Sequence, residues 1–421
     1  MPELGPFRGV RYARSEELSD IVCPPFDVIS EDAQRELHER HPHNAVRIEL
    51  PFSETHDADD RYLKAAVQFR SWLEEGVLVA DDEPCLYVYR QDFTRNGTPK
   101  RVTGVIGALR LQELGEESGV LPHERTMPGP IEDRLALLRA CPVNISPIYA
   151  IYRGKGRLAP FLDSLTQRPQ QARLQDEYGT LHRMWVVRAP AEIEVLSAAV
   201  RPGPLVIADG HHRYETALEY AKESGSSPER AAVMCFCADA DVEDLNVLPY
   251  HRAFKASVPD DTLRTRLIED FDAKALEEAV AERVFEHSAA DHAFLAIVPG
   301  ERSTRRSRQK STELLLEVDE ELVSRTVGDQ PSAWRCLDVV ALHEAILPRL
   351  LPEGIETVRF SSEEPEIRRL VAEDSFSLGV LMKPLEAVAV VEVARVAKRM
   401  PQKASYFWPK AVTGLVFHPL G

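Results

Sequence analysis

Hydrophobic and polar positions along this chain follow two different periods. Tyr62, Ala66, Phe69 and Leu73 recur at helical spacing and Gly76 follows them, which predicts a helix with one apolar stripe. Tyr214, Ala217, Leu218 and Ala221 repeat that spacing ahead of Gly225, placing a second helix near 213–223. Strand-like runs at 85–93 and 102–111 flank Asn96-Gly97, a strong hairpin signal. Further strands are expected at 145–152, 184–187, 205–208, 231–237, 294–298, 314–318 and 378–382, with helices near 131–140, 337–347 and 384–399. Two prolines hold 21–30 extended, and Ser30 is placed to cap a helix over 31–40. Strands do not alternate regularly with helices, so the pattern predicts α+β or mixed α/β rather than a doubly wound parallel sheet.

Composition narrows the class. With 421 residues and 44% hydrophobic content, the chain can bury one large core or a few modest ones. No long Pro/Gly linker marks a boundary; the expected sub-domains are an N-terminal α+β region at 1–155, a central region at 156–300 and a C-terminal α/β region at 301–421. A net charge of -17 argues against nucleic-acid and membrane partners and requires any phosphate site to be a local positive pocket. No apolar run is long enough to span a membrane, and the first residues lack a signal-peptide pattern, so a cytoplasmic location is expected. The six cysteines include no Cys-x-x-Cys pair and are expected to be buried thiols. Segments 302–311 and 239–246 are expected to be polar loops.

Chemistry concentrates at Leu205-Val206-Ile207-Ala208-Asp209-Gly210-His211-His212-Arg213-Tyr214. A strand, a glycine and a helix in that order build an anion site: glycine permits a sharp turn, and the first amides and positive end of the helix attract phosphate or carboxylate oxygens. His211, His212 and Arg213 would add side-chain donors. In the alternative reading Asp209 caps the helix and the histidines bond a neighbouring loop. A metal held by His211 and His212 is disfavoured, because adjacent helical residues point about 100° apart.

Other clusters are less specific. His123-Glu124-Arg125-Thr126 precedes a Met-Pro-Gly-Pro turn and a helix with Asp133 and Arg134, either a loop able to supply a base and a substrate ligand or a surface turn. Only 11 of the 51 basic residues are lysines, yet Lys403 and Lys410 lie among Tyr406, Phe407 and Trp408. In an arginine-rich chain those two are candidates for compact point charges on a phosphate, or for the solvated rim of a packed aromatic segment. Arg47 and Glu49 alternate with apolar neighbours as strand positions do and would share one face.

Ala208 to Glu215, together with Pro24-Pro25-Phe26-Asp27-Val28-Ile29, His123 to Thr126 ahead of Asp133-Arg134, and Met400 to Lys403 through Phe407 to Lys410, resembles the signature of the family called domain of unknown function 1015. The match runs in order along essentially the whole chain as one family-wide region and departs at Ala404, where that family usually carries a hydroxyl. The Gly-x-His-Arg-Tyr-Glu core is also similar to the phosphate-binding box of the ParB/sulfiredoxin superfamily, which includes free-serine kinases. The resemblance implies such a core with large insertions and a C-terminal α/β extension. His211 stands where sulfiredoxins place their cysteine, which argues against reductase chemistry.

What the resemblance implies for function is phosphoryl transfer to or from a small hydroxy amino acid, with ATP or ADP as co-substrate and magnesium. Asp209, Glu124 and His123 are then the catalytic candidates, with Asp209 also a magnesium ligand. Gly210, His211, His212, Arg213, Lys403 and Lys410 would hold phosphate, and Asp27, Arg47, Glu49 and Arg134 the substrate. A phosphoserine-type phosphatase and a nucleotide-sensing regulator are the alternatives, and the oligomeric state stays open.

Overall fold

Buried strand faces and glycine turns build a mixed α/β protein, whose computed structural model describes residues 1–52, 58–115, 118–124, 126, 128–225, 227–300, 311–373 and 376–421. Arg125 and most of the loop expected at 302–311 lie outside the described residues. The chain divides into two compact units, one of residues 1–246 with 407–421 and the other of residues 247–406. The boundaries expected at 155 and 300 therefore fall inside units. The last residues return to the first unit, where Thr413 exchanges backbone hydrogen bonds with Cys23, and Phe417 with Val10.

The strands of the first unit's main sheet are β1 (Leu4–Gly5), β2 (Leu86–Arg95), β3 (Thr98–Arg110), β4 (Val120–Pro122), β5 (Ile148–Tyr152), β6 (Ala172–Gln175), β7 (Leu181–Val187), β8 (Leu205–Asp209) and β9 (Ala232–Asp239). Their order is β4-β8-β5-β9-β3-β2-β7-β6, with β1 attached to β3. β4 runs parallel to β8 and β5 parallel to β9, whereas the remaining neighbours are antiparallel. Asn96 and Gly97 close the β2–β3 hairpin at φ 49° and 74°, the two positive φ values that make a tight turn match strand twist. Leu86, Val88, Ile148, Ala150, Leu205, Ile207, Val233 and Cys235 build the core on one sheet face, joined by Leu162, Leu196, Tyr214 and Ala217 from helices.

Five helices matter for the site: α1 (Glu31–Arg40), α2 (Val46–Glu49), α3 (Ala58–Glu74), α4 (Pro128–Ala140) and α5 (His211–Ser224). Ser30 caps α1 by accepting the Ala33 amide at 3.2 Å. The buried stripe of α3 is rotated from its expected position: Trp72 is 0% exposed and Leu73 37%, because the larger ring takes the interior place beside Tyr62, Ala65 and Phe69. α4 begins at Pro128, so the expected turn there is the first turn of a helix. A proline suits that place because its missing N–H would have no intrahelical partner.

The second unit holds an antiparallel sheet of β10 (His251–Lys255), β11 (Lys274–Leu276), β12 (His292–Val298), β13 (Thr312–Val318), β14 (Thr357–Ser361) and β15 (Leu378–Met382), in the order β11-β13-β12-β15-β10-β14. Its core joins Ala253, Leu295, Ile297, Leu315 and Leu381 to Ala281, Phe285, Ile367 and Val371. All six cysteines are free thiols, and Cys336 is exposed, against expectation. No helix among the described residues is long and apolar enough to cross a membrane.

Candidate functional site

β8 ends in a bulge. Its register against β5 shifts between Ile207 and Asp209, so Asp209 lies opposite Tyr149 with Ala208 as the extra residue. Gly210 then takes φ 84° and ψ 30° as the N-cap of α5. Having no side chain, it offers no acceptor to the amides of the first helical turn, unlike Ser30 on α1. A Cβ at this position would stand 3.1 Å from the Arg213 guanidinium. Gly210→Ala is expected to cost about 1–2 kcal/mol through its left-handed backbone and to displace that guanidinium. Thermal melts check the cost.

Two cations converge on Asp209. Arg213 Nη2 donates to Oδ2 at 2.8 Å, and Lys410 Nζ donates to Oδ1. These side chains are 14%, 10% and 11% exposed for Asp209, Arg213 and Lys410. Burial alone would raise the Asp209 pKa, but the charges of Lys410 and Arg213, the Lys410 hydrogen bond and His211 outweigh it and hold the carboxyl at about 2. A folded-state value below the unfolded one stabilises above the unfolded pKa, and that contribution disappears as pH falls through the folded value. Asp209 should therefore contribute on the order of 2 kcal/mol near neutrality and lose it progressively from about pH 5 to pH 2. Urea melts across that range check it, and Asp209→Asn should flatten this part of the pH dependence.

The C-terminal segment delivers Lys410. Gln91 on β2, fully buried, donates Nε2 to the carbonyls of Lys410 at 2.9 Å and Pro409 at 3.3 Å. Below the charges lie aromatic rings: Tyr149 packs 4.8 Å from Phe236 and 5.8 Å from Phe407. Burial raises the Tyr149 pKa, so its hydroxyl stays protonated.

Arg213 connects this cluster to a second carboxylate. Its Nη1 donates to the Pro147 carbonyl and to Ser146 Oγ at 3.1 Å, and Ser146 Oγ donates to Glu49 Oε1 at 2.9 Å. The Phe26 amide also donates to Glu49 Oε1, at 3.3 Å. Arg134 Nη1 donates to the Glu49 carbonyl at 2.6 Å, its guanidinium lies 4.3 Å from the Phe26 ring centre, and its Nε donates to Asp133 at 2.7 Å. Asp133 also accepts from Tyr62 at 2.7 Å. Burial pushes the Asp133 pKa up, and Arg134, Tyr62 and Arg61 together bring it below its ordinary value.

The expected residues thus separate. Asp209, Gly210, Arg213 and Lys410 form one cluster, joined through Ser146 to Glu49 and Arg134. His123 is fully buried beside it: its Nδ1 donates to the Ile207 carbonyl at 2.6 Å, its amide donates to His211 Nε2 at 3.4 Å, and the two rings are edge to face at 4.7 Å. Glu124 and His212 are half-buried, on the loop after β4 and on the first turn of α5. Asp27 is exposed on the turn that presents Phe26 to Glu49.

Two expectations, the strand around Arg47 and Glu49 and the magnesium on Asp209, need correction. Arg47 and Glu49 sit on the helical turn α2, because Asn44 Oδ1 accepts the Val46 amide at 2.9 Å and starts a helix where alternation suggested a strand. Glu49 turns inward at 3% exposure, while Arg47 donates to the carbonyls of His38 and His41 at the end of α1, a capping role. Lys403 belongs to the second unit, where its carbonyl accepts from Arg252 at 2.9 Å and its ammonium lies 5.3 Å from the Tyr250 ring centre. The magnesium expected on Asp209 does not fit: two cations already take its oxygens, and among the described residues no group of three His, Cys, Asp or Glu is arranged for a metal. Ser146 and Gln91 are the site residues that sequence reasoning missed. A neutral amide inside the apolar run of β2 is the one signal that pointed to Gln91.

Similar solved structures are remote. A conserved hypothetical protein from Pyrococcus furiosus matches at 12% identity and a TM-score of 0.32, over 73% of this chain and 93% of that one. A free serine kinase in complex with AMP matches at 13% identity and 0.33, over 72% and 86%. SbnI from Staphylococcus aureus, with a C-terminal truncation, matches at 10% identity and 0.38, over 73% and 85%. No curated protein matches the sequence. The family model described as protein of unknown function (DUF1015) matches residues 4–340, and the chain belongs to that family.

Proposed function

We propose that this protein is a phosphotransferase that takes a phosphoryl group from a nucleotide and passes it to a small hydroxyl-bearing acceptor, with free serine as the first acceptor to test. The observation that carries the reading is the glycine-capped start of α5 with Arg213 and Lys410 beside it, both bonded to Asp209, in a chain of net charge -17. Helix amides, a guanidinium fork and an ammonium are the groups that neutralise charge on a transferring phosphoryl group. Phosphoryl transfer needs little beyond that and positioning.

Each residue has a defined task in this reading. Asp209 holds Arg213 and Lys410 at fixed spacing, so the donors need no reorganisation when phosphate arrives. Arg213 keeps an Nε–H that has no partner among the described residues, a donor for an incoming oxygen. His123 and His211 tie the end of β4 to β8 and to the start of α5. Magnesium enters as part of the nucleotide substrate. Incubating the full chain with Mg–ATP or Mg–ADP and serine, then measuring phosphoserine by mass spectrometry, tests the proposal. No phosphorylated product across a panel of nucleotides and hydroxyl acceptors overturns it.

A further inference from the structure

We infer that Ser146 is a nucleophile that carries the phosphoryl group on the protein between donor and acceptor; the inference rests on the phosphotransferase reading above. Its geometry meets the requirements for an activated hydroxyl. Ser146 Oγ donates to Glu49 Oε1 at 2.9 Å, within the reach expected of a nucleophile and its base. Glu49 is itself oriented by the Phe26 amide, which donates to the same oxygen at 3.3 Å. From the other side Arg213 Nη1 donates to Ser146 Oγ at 3.1 Å, and a cation there stabilises the developing alkoxide. Nucleophile, base and orienting group are therefore in contact, on the guanidinium that also bonds Asp209 at 2.8 Å.

There is room for the product of the first step. Ser146, Glu49, Arg134, Arg213 and Thr216 border a cavity of about 50 Å³. Liquid water occupies about 30 Å³ per molecule, so the space suits a compact polar group. Arg134 and Arg213 in its wall offer guanidinium donors to phosphate oxygens. Ser146 is 5% exposed, so bulk water has little access to the phosphoester once it forms.

The step balances as follows. Ser146 Oγ attacks the terminal phosphorus of a nucleoside triphosphate, the Oγ–P bond forms, and the bond to the bridging oxygen breaks. The nucleoside diphosphate leaves with that electron pair, and the serine proton passes to Glu49. In the second half the acceptor hydroxyl attacks the phosphoserine phosphorus. Glu49 returns its proton to Ser146 as the Oγ–P bond breaks, and the acceptor's proton goes to water.

The test uses the full chain with Mg–ATP and no acceptor, quenched in acid and mapped by peptide mass. The expected result is an acid-stable phosphate on the Ser146 peptide that disappears when serine is added. Labelling should slow by about 100-fold in Glu49→Gln, as for loss of a general base. A second measurement needs no variant: with an isotopically chiral terminal phosphate, two displacements give a product with retained configuration. Phosphorylated acceptor formed with inversion and without labelled protein overturns the inference and leaves the phosphotransferase reading standing. Phosphate found on any other residue in place of Ser146 also overturns it. Neither label nor product overturns both.

Discussion

Asp209→Ala is expected to lower the stability of the first unit by about 3–5 kcal/mol, because it removes the carboxylate that two poorly solvated cations share. Lys410 and Arg213 are each about one-tenth exposed, and Asp209 is the carboxylate that both of them contact. Their mutual repulsion would also loosen the C-terminal segment from Gln91. A counter-anion should repair the damage. Inorganic phosphate is therefore expected to raise the melting temperature of Asp209→Ala more than that of the parent chain, since ligand binding to the folded state stabilises it by mass action. Calorimetric melts with and without phosphate check this. An unchanged melting temperature in the variant would show that the two cations find other partners.

Arg213→Ala should behave in the opposite way. Lys410 still pairs with Asp209, so the fold is retained, but the guanidinium that links Asp209, Pro147 and Ser146 is gone. Charge-assisted hydrogen bonds contribute about 1.5–3 kcal/mol, which corresponds to roughly a 10- to 100-fold loss of nucleotide affinity. Arg213→Lys is expected to recover little, because one ammonium cannot reproduce a planar fork that reaches Asp209 with one nitrogen and Ser146 with another. Titration calorimetry with ATP and ADP measures both variants. Full affinity in Arg213→Ala would remove the phosphate-cradle role from this residue.

Local rules made much of the first unit legible. Asn96-Gly97, Ser30 and the strand, glycine and helix order of β8, Gly210 and α5 appear where turn, cap and periodicity rules placed them. The misreadings share a cause, which is that tertiary partners decided the outcome. Val46, Ile48 and Leu50 alternate as a strand would, yet four residues are too few to separate a period of 2 from 3.6, and the Asn44 side chain settled the matter. Tyr62 and Phe69 fixed the face of α3, but the choice between Trp72 and Leu73 depended on the shape of the interior. Ser146 carried no signal, because a serine before a proline reads as an ordinary loop.

Lys410 lies 201 positions after Asp209, in the closing segment of a unit whose other residues are the first 246 of the chain. During synthesis those residues leave the ribosome long before the lysine that completes their charge cluster. For that interval the nascent protein carries an unfinished site, and chains that stall inside the second unit never acquire the missing ammonium. Translation itself thus delays completion of this charge cluster until the second unit has been made.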